Sequence, residues 1–240
     1  MIYKILIIGH VIGDFYLQSD KMAEEKKSNI VTLMGHSLIY VLALLATGIL
    51  VVLKEEWINF IILLLVAGVL HIVIDYIKIR IENAIDNKSH ILVFVADQLI
   101  HISILLGGSM LLGLSGGPYS IFFGEHYYIG GYNNIIMIIL GILICIKPAS
   151  VFVSKVINSL KEPSTNEEDD VRAGALIGIL ERLIVFVLGI MGQFGAIGFV
   201  IAAKSLARYK QLEDKSFAEK YIVGTLLSSL IAILCSMIVC

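Results

Sequence analysis

Charged residues are scarce in this sequence. Asp, Glu, Lys and Arg make up 16% of its 240 residues, whereas 58% are hydrophobic. A soluble domain carries about 25% charged residues, so this composition excludes an ordinary soluble domain. Several apolar segments exceed the roughly 18 residues expected of a membrane helix. The formal net charge of −2 provides no basic surface for nucleic acid. Membrane lipids, and not nucleic acid, are therefore the expected surroundings.

Cysteine is rare as well, and the first apolar run lacks the features expected of a cleavable leader. Cys145, Cys235 and Cys240 all lie in apolar runs and form no C-x-x-C pair, which favours small buried side chains over disulfides or metal ligands. The first apolar run is interrupted by His10 and Asp14 and is not followed by a small-residue cleavage site. We therefore expect this run to be retained as the first helix.

The apolar segments predict an all-α fold, a polytopic transmembrane bundle of about eight helices. The predicted helices are 2–18, 30–53, 57–81, 90–114, 135–160, 172–192, 194–209 and 220–240. We expect a single integral-membrane domain, 1–240, with two four-helix halves. One half, 1–114, contains His and Asp, and the other, 134–240, contains buried Glu, Arg and Lys.

Lysine and arginine are nearly absent from alternate links between these helices. The links on one side contain Lys21, Lys26, Lys27, Lys78, Arg80, Lys88, Lys161, Arg208, Lys210, Lys215 and Lys220. The opposite links contain only Lys54, with Lys4 as an exception at the N-terminus. The positive-inside rule then predicts a multi-pass protein of the cell (inner) membrane with both termini outside. An outer aromatic belt is predicted from Trp57, Tyr119, Tyr127, Tyr128 and Tyr132.

Three predicted helices carry a His and an Asp four residues apart, and a fourth helix carries a His. The residues are His10 with Asp14, His71 with Asp75, Asp97 with His101, and His36. A four-residue spacing places both members of a pair on one helix face. The predicted topology puts all four sets at a similar depth, in the cytoplasmic half of the membrane. We therefore expect these seven side chains to share one site.

Such a cluster needs compensation, because each ionisable group in hydrocarbon costs about 2.5–3.5 kcal/mol on insertion scales. His and Asp suit a divalent transition metal, with Zn or Mn as the first choice and Fe or Ni as alternatives. The predicted metal ligands are His10, Asp14, His36, His71, Asp75, Asp97 and His101. Asp14 and Asp75 are also the predicted catalytic groups, since a carboxylate beside a metal can relay protons. The alternative is a core in which His and Asp satisfy one another without metal.

The second half carries further charges inside predicted helices. Arg182, Lys204 and Arg208 are predicted to bind the negative charge of a substrate. The alternative is a set of interhelical ion pairs, such as Glu181 with Lys204 or Glu219 with Arg182. Both interpretations remain open at this point.

Two pairs of small residues predict close helix packing. Gly9 with Gly13 and Gly174 with Gly178 have the small-xxx-small spacing that lets the backbones of two membrane helices approach. We expect the first and sixth predicted helices to lie close to a neighbour at these positions.

Five segments together resemble a known family. "HVIGDFYLQSDKMA", "HIVIDYIK", "ADQLIH", "GALIGILER" and "KYIVGTLLS" are similar to the bacterial integral-membrane family catalogued as domain of unknown function 3307, over almost the whole chain. The resemblance implies a membrane protein and no assigned activity. The positions that match are His10, Asp14, Gln18, His71, Asp75, Lys78, Asp97, Gln98 and His101. A looser likeness, in residue type and placement, links the chain to predicted membrane-bound metal-dependent hydrolases.

The functional hypothesis is a metal-dependent hydrolase of a phosphate or related ester, with lipids among the candidate substrates. The alternative is a metal-ion or proton-coupled transporter, although the outward halves of the first four helices are nearly all apolar. A third hypothesis is a structural or signalling subunit whose polar core only fixes helix packing. No H-E-x-x-H signature is present. A homo-oligomeric state is left open.

Overall fold

The structure, a computed structural model, describes residues 1–86, 89–116, 133–159 and 169–239, with the side chains of 169–173 left out. This part of the chain is mostly helical and contains no strand, which confirms the all-α class. Its α-helices are α1 Ile2–Val11, α2 Asp20–Glu25, α3 Ile30–Gly48, α4 Trp57–Glu82, α5 His90–Leu111, α6 Asn133–Ser159, α7 Asp169–Ile190, α8 Phe194–Ala207 and α9 Lys215–Val239.

Five helical stretches in the described ranges are long and apolar enough to cross a membrane. They are Ile30–Gly48, Lys54–Glu82, His90–Leu111, Asn133–Ser159 and Lys215–Val239. The 14 residues of α8 rise about 21 Å, which is less than the roughly 30 Å of the hydrocarbon core. The 10 residues of α1 are shorter still. Several membrane-length helices are therefore present, while eight spanning helices and outside termini stay predictions.

Apolar side chains face outward on these helices and ionisable side chains face inward. Ile58 is 76% exposed and Leu92 is 73% exposed, whereas His36 and His71 are fully buried. In water this distribution would leave large apolar surfaces exposed, but in lipid it is the expected one. The fold is therefore that of a protein whose outer surface matches a bilayer. The predicted tyrosine belt lies outside the described residues.

The chain divides into two compact units, Met1–Ile136 and Met137–Cys240. The first unit contains α1 to α5. The second contains most of α6 and all of α7 to α9.

In the first unit, α1 packs against α3 and α5, α3 packs against α4, and α4 packs against α5. The α1–α3 approach depends on two glycines. A Cβ atom on Gly13 would lie 3.1 Å from the Cα atom of Tyr40, and one on Gly9 would lie 3.2 Å from the Cα atom of Leu44. Both distances are tighter than ordinary van der Waals contact. The predicted close packing of the first helix is confirmed, and its neighbour is α3.

The first helix changes its geometry before it ends. After Val11 the chain continues as a π turn, Ile12–Tyr16, in which the backbone N–H of Leu17 donates to the carbonyl of Ile12 at 2.9 Å. Asp14 lies at the centre of this turn. Single π turns within helices occur frequently at functional sites. The wider turn, and not a continuous α-helix to residue 18, presents Asp14 to the interior.

The end of the first unit that carries Met1 is held together by the carboxylate of Glu56. Its Oε1 atom accepts hydrogen bonds from the backbone N–H and the hydroxyl of Ser115, at 2.9 and 2.5 Å. The terminal amine of Met1 donates to the carbonyl of Ser115 at 3.2 Å. Three parts of the chain thus meet at this end of the unit: the start of α1, the α3–α4 link and the segment after α5. This is the arrangement expected for helices that alternate in direction.

In the second unit, α7 and α8 form a helical hairpin. Gly192 follows α7 with φ +68°, a conformation that suits glycine. The N–H of Gln193 then donates to the carbonyl of Leu188 at 2.9 Å, which is the hydrogen bond of a Schellman motif. This motif reverses the chain into α8.

The close packing predicted at Gly174 and Gly178 is wrong. A Cβ atom on Gly174 would meet no atom within 4 Å, and one on Gly178 would meet only Arg182 of its own helix, at 3.4 Å. The close approach of α7 lies elsewhere, at Gly189, where a Cβ atom would collide with Ser236 of α9. The small-xxx-small spacing was therefore a poor guide on this helix.

Candidate metal centre

All seven predicted metal ligands lie in the first unit, and each is at most 9% exposed. They come from four parts of the chain: α1 with its π turn, α3, α4 and α5. The structure therefore brings these side chains together inside the helix bundle. The cytoplasmic orientation of the cluster remains a prediction.

Asp14, His36 and His71 form one group with metal-ligand spacing. Each offers one ligand atom, and these atoms lie within 4.8 Å of one another. The Nε2 atom of His36 is 3.3 Å from the Oδ1 atom of Asp14. In a tetrahedral shell with bonds of about 2.0–2.2 Å, neighbouring ligand atoms are about 3.3–3.6 Å apart. The His36–Asp14 separation fits that geometry. We call this group the Asp14 triad.

A second group shares His71 with the first. His71, Asp75 and His101 also offer ligand atoms within 4.8 Å of one another. The Oδ2 atom of Asp75 lies 3.8 Å from the Nε2 atom of His71 and 3.8 Å from that of His36. We call this group the Asp75 triad. Because the two triads overlap at His71, they form one continuous site.

Four imidazole nitrogens of the cluster have no hydrogen-bond partner among the described residues, although all are buried. They are Nδ1 of His36, both ring nitrogens of His71, and Nε2 of His101. Buried polar atoms are normally paired, so each exception requires a cause, such as an ion or a water. Neutral imidazole nitrogen is a common ligand of transition metals. The donor set therefore fits a divalent transition metal better than a self-satisfied His–Asp network.

The ring of His71 is fixed by an aromatic contact. Tyr40 of α3 stacks on it with the ring centroids 4.0 Å apart and the planes 9° apart. Tyr40 is fully buried, and its hydroxyl lies 3.3 Å from Nδ1 of His10. Sequence reasoning missed Tyr40. Its position one turn after His36 in predicted helix 2 was the only available signal.

Gln98 connects three members of the cluster. Its side-chain nitrogen donates to Asp14 Oδ2 at 2.8 Å and to Asp97 Oδ2 at 3.0 Å, and its oxygen lies 3.1 Å from Nε2 of His10. With Tyr40 on its other nitrogen, His10 has a partner at both ring nitrogens. Such partners orient ligating side chains in metal sites. His10 belongs to neither triad, and Gln98 connects it to Asp14.

Two lysines form ion pairs inside the cluster. The Nζ atom of Lys26 is 2.6 Å from Asp75 Oδ2, and that of Lys78 is 2.6 Å from Asp97 Oδ2. Lys26 is only 9% exposed. The sequence analysis counted both lysines among the basic residues of the links and predicted neither ion pair. Lys78 was detectable because it lies three residues after Asp75 on α4, but Lys26 gave no signal beyond its place in a charged link.

The basic residues predicted to bind substrate lie in the second unit. Lys204 forms an ion pair with Glu181 at 2.5 Å, as the ion-pair alternative predicted. Arg208 is half-buried at the C-terminal end of α8. In this unit the side chain of Lys204 is thus already engaged by a carboxylate.

Arg182 is buried and is held by neutral acceptors. Its Nε–H donates to the carbonyl of Cys145 at 2.7 Å, one Nη group donates to Ser228 at 3.2 Å, and the other donates to Ser150. Within the described ranges it makes no ion pair with a carboxylate, so the predicted Glu219–Arg182 pair is not found.

These features define a class: an all-α protein with several membrane-length helices and a buried cluster of His, Asp and Lys. Residues 2–115 match the model of the family described as "Protein of unknown function (DUF3307)". The match includes the whole cluster and confirms the resemblance there. It does not extend to "GALIGILER" or "KYIVGTLLS". No curated protein and no solved structure matches the chain.

Proposed function

We propose that the first unit binds a divalent transition metal, with Zn or Mn as the first candidates, at the Asp14 triad. The observation that carries this proposal is His71, a fully buried imidazole whose two nitrogens lack hydrogen-bond partners among the described residues. Asp14 supports it as well, because the Gln98 amide and the His36 imidazole lie at its carboxylate and no lysine of the described residues forms an ion pair with it. Asp97, His101 and His10 would then orient the site.

The charge balance favours an anionic substrate. Three buried carboxylates face the ammonium groups of buried Lys26 and partly buried Lys78, which leaves one negative charge when the histidines are neutral. A divalent cation would turn this into one positive charge, and a positive site attracts an anion. We therefore propose hydrolysis of a phosphate or related ester, with a lipid as one candidate. A bound metal would supply Lewis acidity to such a reaction. Asp14 and Asp75 are the residues proposed to move protons.

For the second unit, we propose Arg182 as the group most suited to bind an anion, because its charge has no carboxylate partner among the described residues. The Glu181–Lys204 pair supports a structural role for Lys204 instead. We also propose that Arg208 binds substrate, as predicted from the sequence.

The alternative function is a metal-ion or proton-coupled transporter. One observation favours it: the Lys26–Asp75 pair is a buried ion pair that an incoming cation could exchange with. A second observation opposes a transporter. Hydrogen bonds from Ser115 to the Glu56 carboxylate hold the helices together at the end of the unit that carries Met1. A transporter requires a second conformation in which that end opens.

Metal analysis of the purified protein tests the proposal. The protein in detergent is stripped with chelator, reloaded with Zn²⁺ or Mn²⁺ and desalted, and its metal content is measured. We expect bound metal in the wild type and in His90→Ala, since His90 belongs to neither triad and its Nε2 atom lies 3.0 Å from the Glu82 carbonyl. We expect loss of metal in His71→Gln with helix content unchanged. A wild type free of metal, or a His71→Gln variant that retains it, would contradict the proposal.

Function assays separate the two candidates. Reconstituted vesicles loaded with a metal-sensitive dye report transport, and phosphate release from anionic lipids or soluble phosphate esters reports hydrolysis. Metal-dependent phosphate release that disappears in Asp14→Asn supports the hydrolase. Uptake of metal or protons without such release supports the transporter.

A further inference from the structure

Lys26 is buried where its neighbours in the chain are not. It follows α2 directly, and Glu25 and Lys27 on either side of it are exposed. Its ammonium group lies 2.6 Å from Asp75 Oδ2. When the amide of Gln18 is oriented to satisfy its neighbours, its oxygen accepts from the same ammonium group at 3.3 Å. A lysine side chain normally reaches for water, so its inward course reflects a specific attraction to the site.

The Lys26 ammonium group contacts a carboxylate oxygen that could itself bind a metal. The oxygen that it contacts, Asp75 Oδ2, is the atom that lies 3.8 Å from the Nε2 atoms of both His36 and His71. A metal bound to that oxygen would be about 2.0–2.2 Å from it. Lys26 would then hold a positive charge against a divalent cation at close range, where like charges repel strongly. Lys26 and a metal on Asp75 therefore compete.

In the described part of the chain the Asp14 triad has no such competitor, because the side chains on its carboxylate are Gln98 and His36. We propose that Lys26 sets the metal affinity of the site. The Asp14 triad is the resident metal site, and the Asp75 triad accepts a divalent cation only when Lys26 withdraws. This inference rests on the proposed metal site and specifies how its second half is regulated.

The element that carries Lys26 is suited to such a withdrawal. The six residues of α2 include no buried residue, so few apolar contacts hold it against the bundle. Segments with few buried contacts open at low free-energy cost. The Lys26–Asp75 ion pair is thus the main buried attachment of this segment. A cation that displaced Lys26 would release α2 from the bundle as well.

Manganese titration of charge-deleted variants tests the inference. Lys26→Met keeps the length of the side chain and removes its charge, and Lys26→Gln serves as a second variant if the first misfolds. Lys27→Met is the matched control, because Lys27 is exposed and pairs only with Glu24. The affinity and stoichiometry of Mn²⁺ are measured by electron paramagnetic resonance on stripped protein in detergent.

We expect Lys26→Met and Lys26→Gln to bind Mn²⁺ about tenfold more tightly at the Asp75 triad, or to bind one further ion, with Lys27→Met like the wild type. Adding Asp75→Asn to Lys26→Met should abolish this gain in Mn²⁺ affinity or in the number of ions bound. Unchanged or weaker binding in both Lys26 variants, beside a wild type that binds metal, overturns the role of Lys26 and leaves the metal site intact. If neither the wild type nor any Lys26 variant binds metal, both proposals fail. Binding in the Lys26 variants alone supports the competition and rejects the Asp14 triad as the resident site.

Discussion

At the scale of single residues, the hydrogen bonds of the cluster converge on Gln98. Its amide reaches His10, Asp14 and Asp97, which belong to two helices. An amide is suited to this position because it both donates and accepts without adding charge. Gln98 thus holds two carboxylates in place while Lys78 neutralises one of them.

Replacing Gln98 by Leu should destabilise the protein by about 1–3 kcal/mol for each buried group left without a partner. The loss arises mainly at Asp14 Oδ2, since Asp97 Oδ2 keeps Lys78. Thermal unfolding in detergent measures it. Gln211→Leu, at an exposed position, is the control and should change stability by no more than about 0.5 kcal/mol. Equal melting temperatures for the two variants would contradict the role of Gln98.

Removing Lys78 leaves Asp97 buried without its counter-ion. Lys78→Met should therefore cost about 3–5 kcal/mol, the range measured for broken buried ion pairs. Asp97→Asn in the same chain should restore much of that loss, because the unpaired charge disappears. A double-mutant cycle on unfolding free energies provides the measurement. Additive effects of the two substitutions would show that the pair at 2.6 Å contributes no coupling.

At the scale of helices, the contact of α1 with α3 determines how closely Asp14 approaches His36. Gly13 lies against Tyr40, and Tyr40 stacks on His71. A larger residue at position 13 therefore displaces a side chain that fixes a predicted ligand.

Gly13→Ala should destabilise the protein by about 1–3 kcal/mol, as expected for overpacking, and should weaken metal binding. Gly35→Ala is the matched control on α3, because a Cβ atom there meets nothing within 4 Å. Alanine favours helix over glycine, so the control should be neutral or stabilising. Melting curves and metal content of both variants test this. A Gly13→Ala protein as stable as Gly35→Ala would contradict the packing argument.

Arg182 connects α7 to α6 and α9 through neutral acceptors. Because no carboxylate among the described residues loses its partner, Arg182→Ala should cost about 1–3 kcal/mol and not the larger penalty of a broken buried ion pair. Lys210→Ala, at an exposed position, is the control. The unfolding free energies of both variants distinguish the smaller loss from the larger penalty. An unchanged melting point for Arg182→Ala would reject the structural role and favour ligand binding.

The sequence predicted the long helices and the burial of seven His and Asp residues in one helical unit, because apolar length and four-residue spacing are local signals. The π turn around Asp14 gave no such signal, since it differs from an α-helix by one hydrogen-bond register. Lys26 was missed for another reason. Its partner Asp75 is 49 residues away, and only the folded chain shows that a link residue enters the bundle.

At the scale of the whole molecule, the sidedness of the membrane is the main prediction still to be measured. With native cysteines replaced, single cysteines at Ser28 and Ser216 should react with an impermeant reagent only from the cytoplasmic side. A cysteine at Glu55 should react only from outside. All three positions are exposed in the structure. Labelling of Ser28 from outside would reverse the orientation and place the cluster near the opposite face.

The π turn at Ile12–Tyr16 has a consequence for comparing this chain with others. It contains one residue more than an α-helical turn, so deleting a single residue there would restore ordinary geometry and rotate the preceding segment by about 100°. His10 would then leave Asp14 and Gln98, although every His and Asp would still be present. A protein with the same ionisable residues but one residue fewer in this segment should therefore lack the contacts of His10 with the site. Segment length, as well as composition, determines which related sequences share it.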